Sequence, residues 1–360
     1  MRASCRYVTP AGPAKNVLPV RGAEVGSRRQ RFGVHALRRR SWIAVLAMLA
    51  AAPLPLRAQQ EQPRIPKVLL IGIDGLRPDV MRETGMPNLN ELISTGAFSD
   101  RARTGLPTLS GPGWTSMLTG VWKEKHGILS NDFPFPNNQL DRYPDFLTRI
   151  ERQDPSLRTF AVADWPPLLE VQAAEGDPGI PILGHAIDVR VALDGGRVGW
   201  AEADERSVDA AVHEIVMNDP AALFVYLGNP DEVSHHTGSI EDEYRASIVR
   251  ADRHIGRLVD AVQSRSTLPA EDWLILVSTD HGRRSDGGHG GDSPEERTIF
   301  FVASGSSVRQ GYILTPPRIV DVAATALQHM GMPPQDEWRL DGIPVGLLPR
   351  QELPRPDTEG

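Results

Sequence analysis

Three runs of strand-forming apolar residues organise the chain, and each stops at polar residues. Lys67-Val68-Leu69-Leu70-Ile71-Gly72-Ile73 ends at Asp74-Gly75, Phe224-Val225-Tyr226-Leu227 is soon followed by Asp231, and Leu274-Ile275-Leu276-Val277 runs to Asp280-His281. Continuous apolar runs, as opposed to alternating ones, mark strands buried on both faces, the condition of parallel sheets covered by helices. Further strands are predicted at 97–103, 159–163 and 297–303. Helical spacing covers 86–95, 114–118, 143–152, 166–173, 205–217, 241–264 and 319–330. Strands alternating with helices predict an α/β fold, a three-layer α/β/α sandwich around a mostly parallel central sheet. Residues 176–199, rich in Gly and Pro and weakly periodic, read as a small cap insertion over that sheet.

Composition adds boundaries. With 360 residues, 40% of them hydrophobic and 24% charged, the chain is long enough for one large domain, expected at 67–347 between a 59–66 linker and a flexible Pro-rich tail at 348–360. Residues 1–58 hold Arg38-Arg39-Arg40, a short apolar run from Trp42 and a proline-rich end. This reads as a secretory signal cleaved near Ala58, with a start that is over-extended. Arg39-Arg40-Ser41-Trp42 also has a weak likeness to a twin-arginine signal. The expectation is a periplasmic or secreted protein with no stable membrane anchor after cleavage, since the apolar run is too short to span a bilayer. The one cysteine, Cys5, lies in that segment, so disulfides and Cys-ligated zinc are excluded from the mature domain. The first 58 residues carry 11 Lys and Arg against one acidic residue, which leaves a formal −17 on the rest. Tight binding to nucleic acid or to an anionic membrane is therefore not expected.

The acidic residues stand in a telling place. Asp74, Asp231 and Asp280-His281 all follow strands, and open α/β sheets bind ligands in the crevice beyond the carboxyl ends of their strands. His235 lies four residues after Asp231, close enough to share an ion with it. His289 returns from a glycine-rich loop. Three Asp and three His suit two divalent cations, zinc first, with manganese or iron also fitting. Ser110 precedes the helix expected from Trp114, where a hydroxyl is normally a cap. Thr108 and Thr115 fit capping or turn roles better than a nucleophile's. His126 reads as structural, His236 adjoins His235 outside the four-residue spacing, and His213, His254 and His329 sit on helices without a ligand signal.

Taken in order, five segments resemble one family. They are Ile71-Gly72-Ile73-Asp74-Gly75-Leu76-Arg77-Pro78-Asp79; the stretch from Ser110 through Leu118-Thr119-Gly120 to His126-Gly127-Ile128; Asn229-Pro230-Asp231 with His235; Thr279-Asp280-His281-Gly282; and Gly288-His289-Gly290. Over about 67–347 the chain resembles the alkaline phosphatase superfamily in its type I phosphodiesterase/nucleotide pyrophosphatase branch. The resemblance implies a phosphoesterase in which Asp231, His235 and His289 hold one metal. Asp74, Asp280 and His281 hold the other, and Ser110 on that second ion is the nucleophile that forms a phospho-serine. It implies a small phosphorylated substrate cleaved at a phosphodiester or pyrophosphate bond. The alternatives are a phosphomonoesterase or phosphonate hydrolase with the same metals, or a non-catalytic metal- or phosphate-binding periplasmic protein. Where eukaryotic members usually have Thr-Phe-Pro-Asn, this chain has Ser110-Gly111-Pro112-Gly113, which removes an aromatic surface and a phosphate-holding amide. Trp165 reads as core more readily than as a base-stacking platform. A sulfatase is disfavoured because no Cys- or Ser-x-Pro-x-Arg motif is present.

Overall fold

The computed structural model describes residues 64–132, 135, 138–170 and 181–349. The signal segment and most of the proline-rich tail lie outside the described residues. In chain order the elements begin β1 (Ile65–Ile73), α1 (Pro78–Thr84), α2 (Pro87–Thr95), β2 (Ala97–Arg103), α3 (Ser110–Thr119), α4 (Lys123–His126) and α5 (Phe146–Gln153). They continue β3 (Thr159–Ala163), β4 (Val189–Ala192), α6 (Gly195–Val198), α7 (Trp200–Met217), β5 (Ala222–Leu227), α8 (Asn229–Thr237) and α9 (Asp242–Gln263). The last are β6 (Glu271–Ser278), α10 (Pro294–Arg297), β7 (Thr298–Ser304), β8 (Gly311–Tyr312) and α11 (Asp321–His329).

Among the described residues these strands form one sheet in the order β4-β3-β5-β1-β6-β7-β2-β8. All run parallel except β7, which is antiparallel to both of its neighbours. Alternation along β1 shows why its run is apolar throughout. Val68 and Leu70 enter one core with Trp114, Phe224 and Leu276, while Leu69, Ile71 and Ile73 enter the other with Tyr244, Ile248 and Val225. Each face is covered by helices: α3, α5 and α11 on the first, and α1, α2, α7 and α9 on the second. This is the three-layer α/β/α sandwich expected. No described helix is long and apolar enough to cross a membrane.

Four readings need correction. The described part of 176–199 is only in part a cover for the sheet: Ile182, Leu183 and Ile187 are buried in the first core, but β4 pairs parallel with β3 and extends the sheet edge, and α6 follows it. Its alternation is weak because an edge strand is half exposed and its four residues are too few to show a period. The helix expected at 166–173 is a single 3-10 turn, Pro166–Leu168, and residues 171–173 lie outside the described residues. The linker is shorter than expected because β1 already begins at Ile65, and Leu348, assigned to the tail, donates its N–H to the Ser307 carbonyl at 2.8 Å. Finally, α1 was missed: it is seven residues long, and proline in its first turn replaces a polar cap signal.

Candidate metal centre

Strand order brings the ligands together. β1 lies between β5 and β6, with Ile73 beside Leu227 and Gly72 beside Ser278, so all three strands stop at one level. Asp74 follows β1 and Asp280-His281 follow β6. Asp231 sits in the first turn of α8, with His235 one turn later on the same face. His289 comes back on the loop between β6 and α10. The result is two groups, Asp231-His235-His289 and Asp74-Asp280-His281, in each of which the ligand atoms lie within 4.8 Å of one another. The His281 and His289 rings stack at 3.8 Å, so the glycine-rich loop does cross from one group to the other.

The second group is fully buried, and its hydrogen bonds leave a defined set of atoms bare. Asp74 Oδ2 accepts from Trp114 Nε1 at 2.9 Å and from the Tyr226 hydroxyl at 2.6 Å. Asp280 Oδ1 accepts from Gly75 N at 3.3 Å. Asp74 Oδ1 and Asp280 Oδ2 have no partner, and they lie 3.4 and 3.3 Å from His281 Nε2. His281 Nδ1–H donates to the Gly282 carbonyl at 2.9 Å, which turns the Nε2 lone pair toward the carboxylates. Burial pushes the His281 pKa down and keeps the ring neutral. The Asp280 pKa is driven well up, first by burial and then by the charge of Asp74. Unpartnered carboxylate oxygens facing a neutral imidazole lone pair are costly in a protein interior, and a divalent cation satisfies all of them. The residues present therefore fit a metal ion.

Ser110 completes this group. It is the first residue of α3, the cap position is Leu109, and no side-chain cap bond forms. The capping expectation fails: its hydroxyl instead lies 3.4 Å from His281 Nε2.

The first group is more open. Asp231 Oδ2 is 3.1 Å from His235 Nε2, and His235 Nε2 is 2.8 Å from His289 Nε2. His289 Nδ1–H donates to the Thr108 carbonyl at 2.7 Å. Burial, ahead of the neighbouring His281, pushes the His289 pKa far below its ordinary value. A neutral His289 with its proton on Nδ1 turns its Nε2 lone pair toward His235 and Asp231. Exposure of the His235 side chain, 42%, contrasts with the buried second group and marks this side as the mouth of the crevice.

Two residues of the site escaped the sequence reading. Arg283 is fully buried. Its Nε donates to the Gly75 carbonyl at 3.0 Å, its Nη1 to the Gly287 carbonyl at 2.8 Å, and its Nη2 to Asp231 Oδ1. It thus clasps the end of β1, the glycine-rich loop and α8 together. Asn131 accepts from Gly111 N through Oδ1 at 2.7 Å, and its Nδ2 has no hydrogen bond among the described residues. Asn131 thus brings a side-chain amide to the start of α3, next to Ser110. A Cβ at Gly113 would lie 3.1 Å from Asp280 Cβ, and one at Gly111 would lie 2.5 Å from the Ser130 carbonyl. Gly111 is required by close approach, and Gly113 leaves a side chain little room. His126 is buried against Ser116 Oγ at 3.1 Å and accepts from Ile128 N. Thr108 ties Gly290 and Gly291 in a turn and Trp165 packs against the first core, whereas Thr115 is neither cap nor turn: it lies inside α3 and bonds the Gly111 carbonyl one turn back.

Comparison with known proteins agrees with this geometry. The model of the family "Type I phosphodiesterase / nucleotide pyrophosphatase" matches residues 68–285. Rat ectonucleotide pyrophosphatase/phosphodiesterase family member 7 is 23% identical over 233 residues, 63% of this chain and 51% of that protein. Bovine bis(5'-adenosyl)-triphosphatase ENPP4 is 24% identical over 230 residues, 60% and 47% respectively. The chain thus spans about half the length of these curated relatives. Among solved structures, murine ectonucleotide pyrophosphatase/phosphodiesterase 5 superposes with a TM-score of 0.55 at 16% identity, over 74% of this chain and 95% of that one. A 2-O GAG sulfatase gives 0.60 at 14% identity, over 78% and 73%. Both likenesses are of fold. With the matched segment running from the first residues of β1 to the loop beyond Asp280-His281, the chain belongs to the type I phosphodiesterase/nucleotide pyrophosphatase family.

Proposed function

We propose that the chain is a metal-dependent hydrolase of phosphodiester or pyrophosphate bonds. It holds two divalent cations, zinc in preference to manganese or iron, and acts through a covalent phospho-serine on Ser110. The observation that carries the reading is the convergence of bare Asp74 Oδ1, Asp280 Oδ2 and His281 Nε2 beside the uncapped Ser110 hydroxyl. When bound, the cations lower the cost of deprotonating the nucleophile and neutralise charge on the phosphoryl and leaving oxygens.

The protein's own groups do the rest. Ser110 Oγ attacks phosphorus and forms the Ser–O–P bond while the bond to the leaving oxygen breaks in line, and that oxygen departs to be protonated. A water then cleaves the Ser–O–P bond from the opposite side and restores the hydroxyl. Of the first-turn N–H groups of α3, that of Gly111 is taken by Asn131 and that of Gly113 by the Leu109 carbonyl, Pro112 has none, and that of Ser110 has no bond among the described residues. The Ser110 N–H and Asn131 Nδ2, unbonded among the described residues, are then the donors offered to a phosphoryl oxygen in place of the full row that a helix start ordinarily presents. The relatives' names point to nucleotide-like substrates. By the same reading the protein works outside the cytoplasm on a small phosphorylated compound.

Purified protein supplied with zinc should cleave bis-p-nitrophenyl phosphate and a nucleoside p-nitrophenyl phosphate faster than p-nitrophenyl phosphate. The reverse order would make it a monoesterase. Absence of turnover with any divalent cation would leave a binding protein.

A further inference from the structure

Beside the metal centre, but sharing none of its ligands, lies a cavity of about 560 Å³ bounded by the end of β2, the 104–107 loop, α3 and α4. Four cationic side chains line it, Arg103, Lys123, Arg297 and Arg318, against the single carboxylate of Glu124. In a chain whose acidic residues outnumber its basic ones, that gathering is unexpected. Neighbouring carboxylates do not neutralise it evenly. Arg318 is engaged by Asp321 and the Asp341 carbonyl, and Arg297 Nη1 by Asp292 at 2.9 Å. Among the described residues the Arg103 side chain donates only to the Thr298 hydroxyl, at 2.5 Å. Lys123 has no side-chain hydrogen bond or ion pair among the described residues, and Arg297 Nε is buried without a partner. Like charges held together around a hollow raise one another's energy, and an anion relieves it.

The remaining wall is Trp122, Leu106, Pro107 and Pro112, a flat and largely apolar surface. The volume far exceeds that of a bare phosphate and falls within the usual range for small organic ligands. Guanidinium groups match phosphate geometry, and an indole accepts a planar or apolar body.

We propose that this cavity is a second binding site for a small organic phosphate. The phosphate seats on Arg103, Lys123 and Arg297 Nε, and the organic body lies against Trp122. The site stands apart from the reaction proposed above. It is close enough to be linked to it, because Thr104 N donates to the Arg297 carbonyl at 3.1 Å and the Thr108 carbonyl at the far end of the same loop holds His289.

The test is calorimetric titration of phenylphosphonate, which a phosphoesterase does not cleave, into zinc-loaded wild type and into the Arg103→Gln/Lys123→Gln variant. Wild type should bind one more equivalent than the variant, or bind that equivalent at least tenfold more tightly. Circular dichroism and zinc content should match, and Lys123→Gln alone, at a surface position of α4, should show an intermediate loss. Equal stoichiometry and affinity in wild type and double variant would overturn the proposal. So would an extra equivalent seen with inorganic phosphate and not with phenylphosphonate. The proposed reaction fails by a different result, since loss of turnover would leave this titration unchanged. Conversely, the double variant keeps wild-type cleavage of bis-p-nitrophenyl phosphate.

Discussion

The carboxylates of Asp74 and Asp280 each commit one oxygen to the protein and leave the other bare, so what these residues lack defines the site as much as what they touch. Arg283 does the reverse for Asp231, giving it a buried cationic partner whether or not a metal is present. Burial lowers the Arg283 pKa to about 10, which still leaves it charged at neutral pH. Breaking a buried pair from one side costs about 3–5 kcal/mol. Arg283→Met should therefore lower the urea stability of metal-free protein by roughly that amount. Zinc should restore more stability to the variant than it adds to wild type, because the cation then meets an uncompensated Asp231. Equal gains on zinc addition would show that Arg283 does not share the load on that carboxylate.

Legibility follows the same line between local and distant. Asp74, Asp231, Asp280 and His281 were readable because each lies a few residues beyond a run apolar on both faces, and His235 because a helix turn spans four residues. Arg283 reaches Asp231 across 52 positions and Asn131 reaches Gly111 across 20, with no period or motif to mark either. Ser110 was found through family resemblance. Its first-turn position on α3, with an uncapped hydroxyl, became visible only with the helix start in hand.

Among elements, the packing of α3 on β1 decides whether the nucleophile meets the second ligand group. Trp114 lies over Gly72, where a Cβ would come 2.4 Å from the indole, and the same indole donates to Asp74. Gly72→Ala should push the helix off the strand, with an overpacking cost of about 1–3 kcal/mol. Zinc affinity should fall with it, measured by competition with a chelator. A variant of unchanged affinity would mean that α3 tolerates displacement without moving Asp74. The edge of the sheet was harder to read than its centre. Central strands are apolar on both faces, whereas β4 is half exposed and short, so its pattern resembles that of a loop.

For the molecule as a whole, the acidic excess concentrates a cost in its interior. Asp164, at the end of β3, and Asp204, on α7, are buried together. Burial first, and then the charge of Asp204, drives the Asp164 pKa well above 3.8, and burial raises that of Asp204 to about 7. A carboxyl whose folded pKa lies above its unfolded one contributes stability that is complete below the unfolded value and lost as pH rises through the folded one. Wild type should therefore weaken between about pH 4 and pH 7 and beyond. Asp164→Asn, which is uncharged at every pH, should be the more stable protein at pH 8 and lose that advantage by pH 5. A stability difference independent of pH would contradict the raised pKa values of this buried pair.

The central claim is that Ser110 is the nucleophile set beside one of two cation sites. Its most direct test is Ser110→Ala, assayed for bis-p-nitrophenyl phosphate cleavage and for bound zinc in the same preparation. The predicted result is loss of turnover with two zinc ions per chain retained. A variant that still turns over, or a wild type that binds a single ion at full activity, would contradict it.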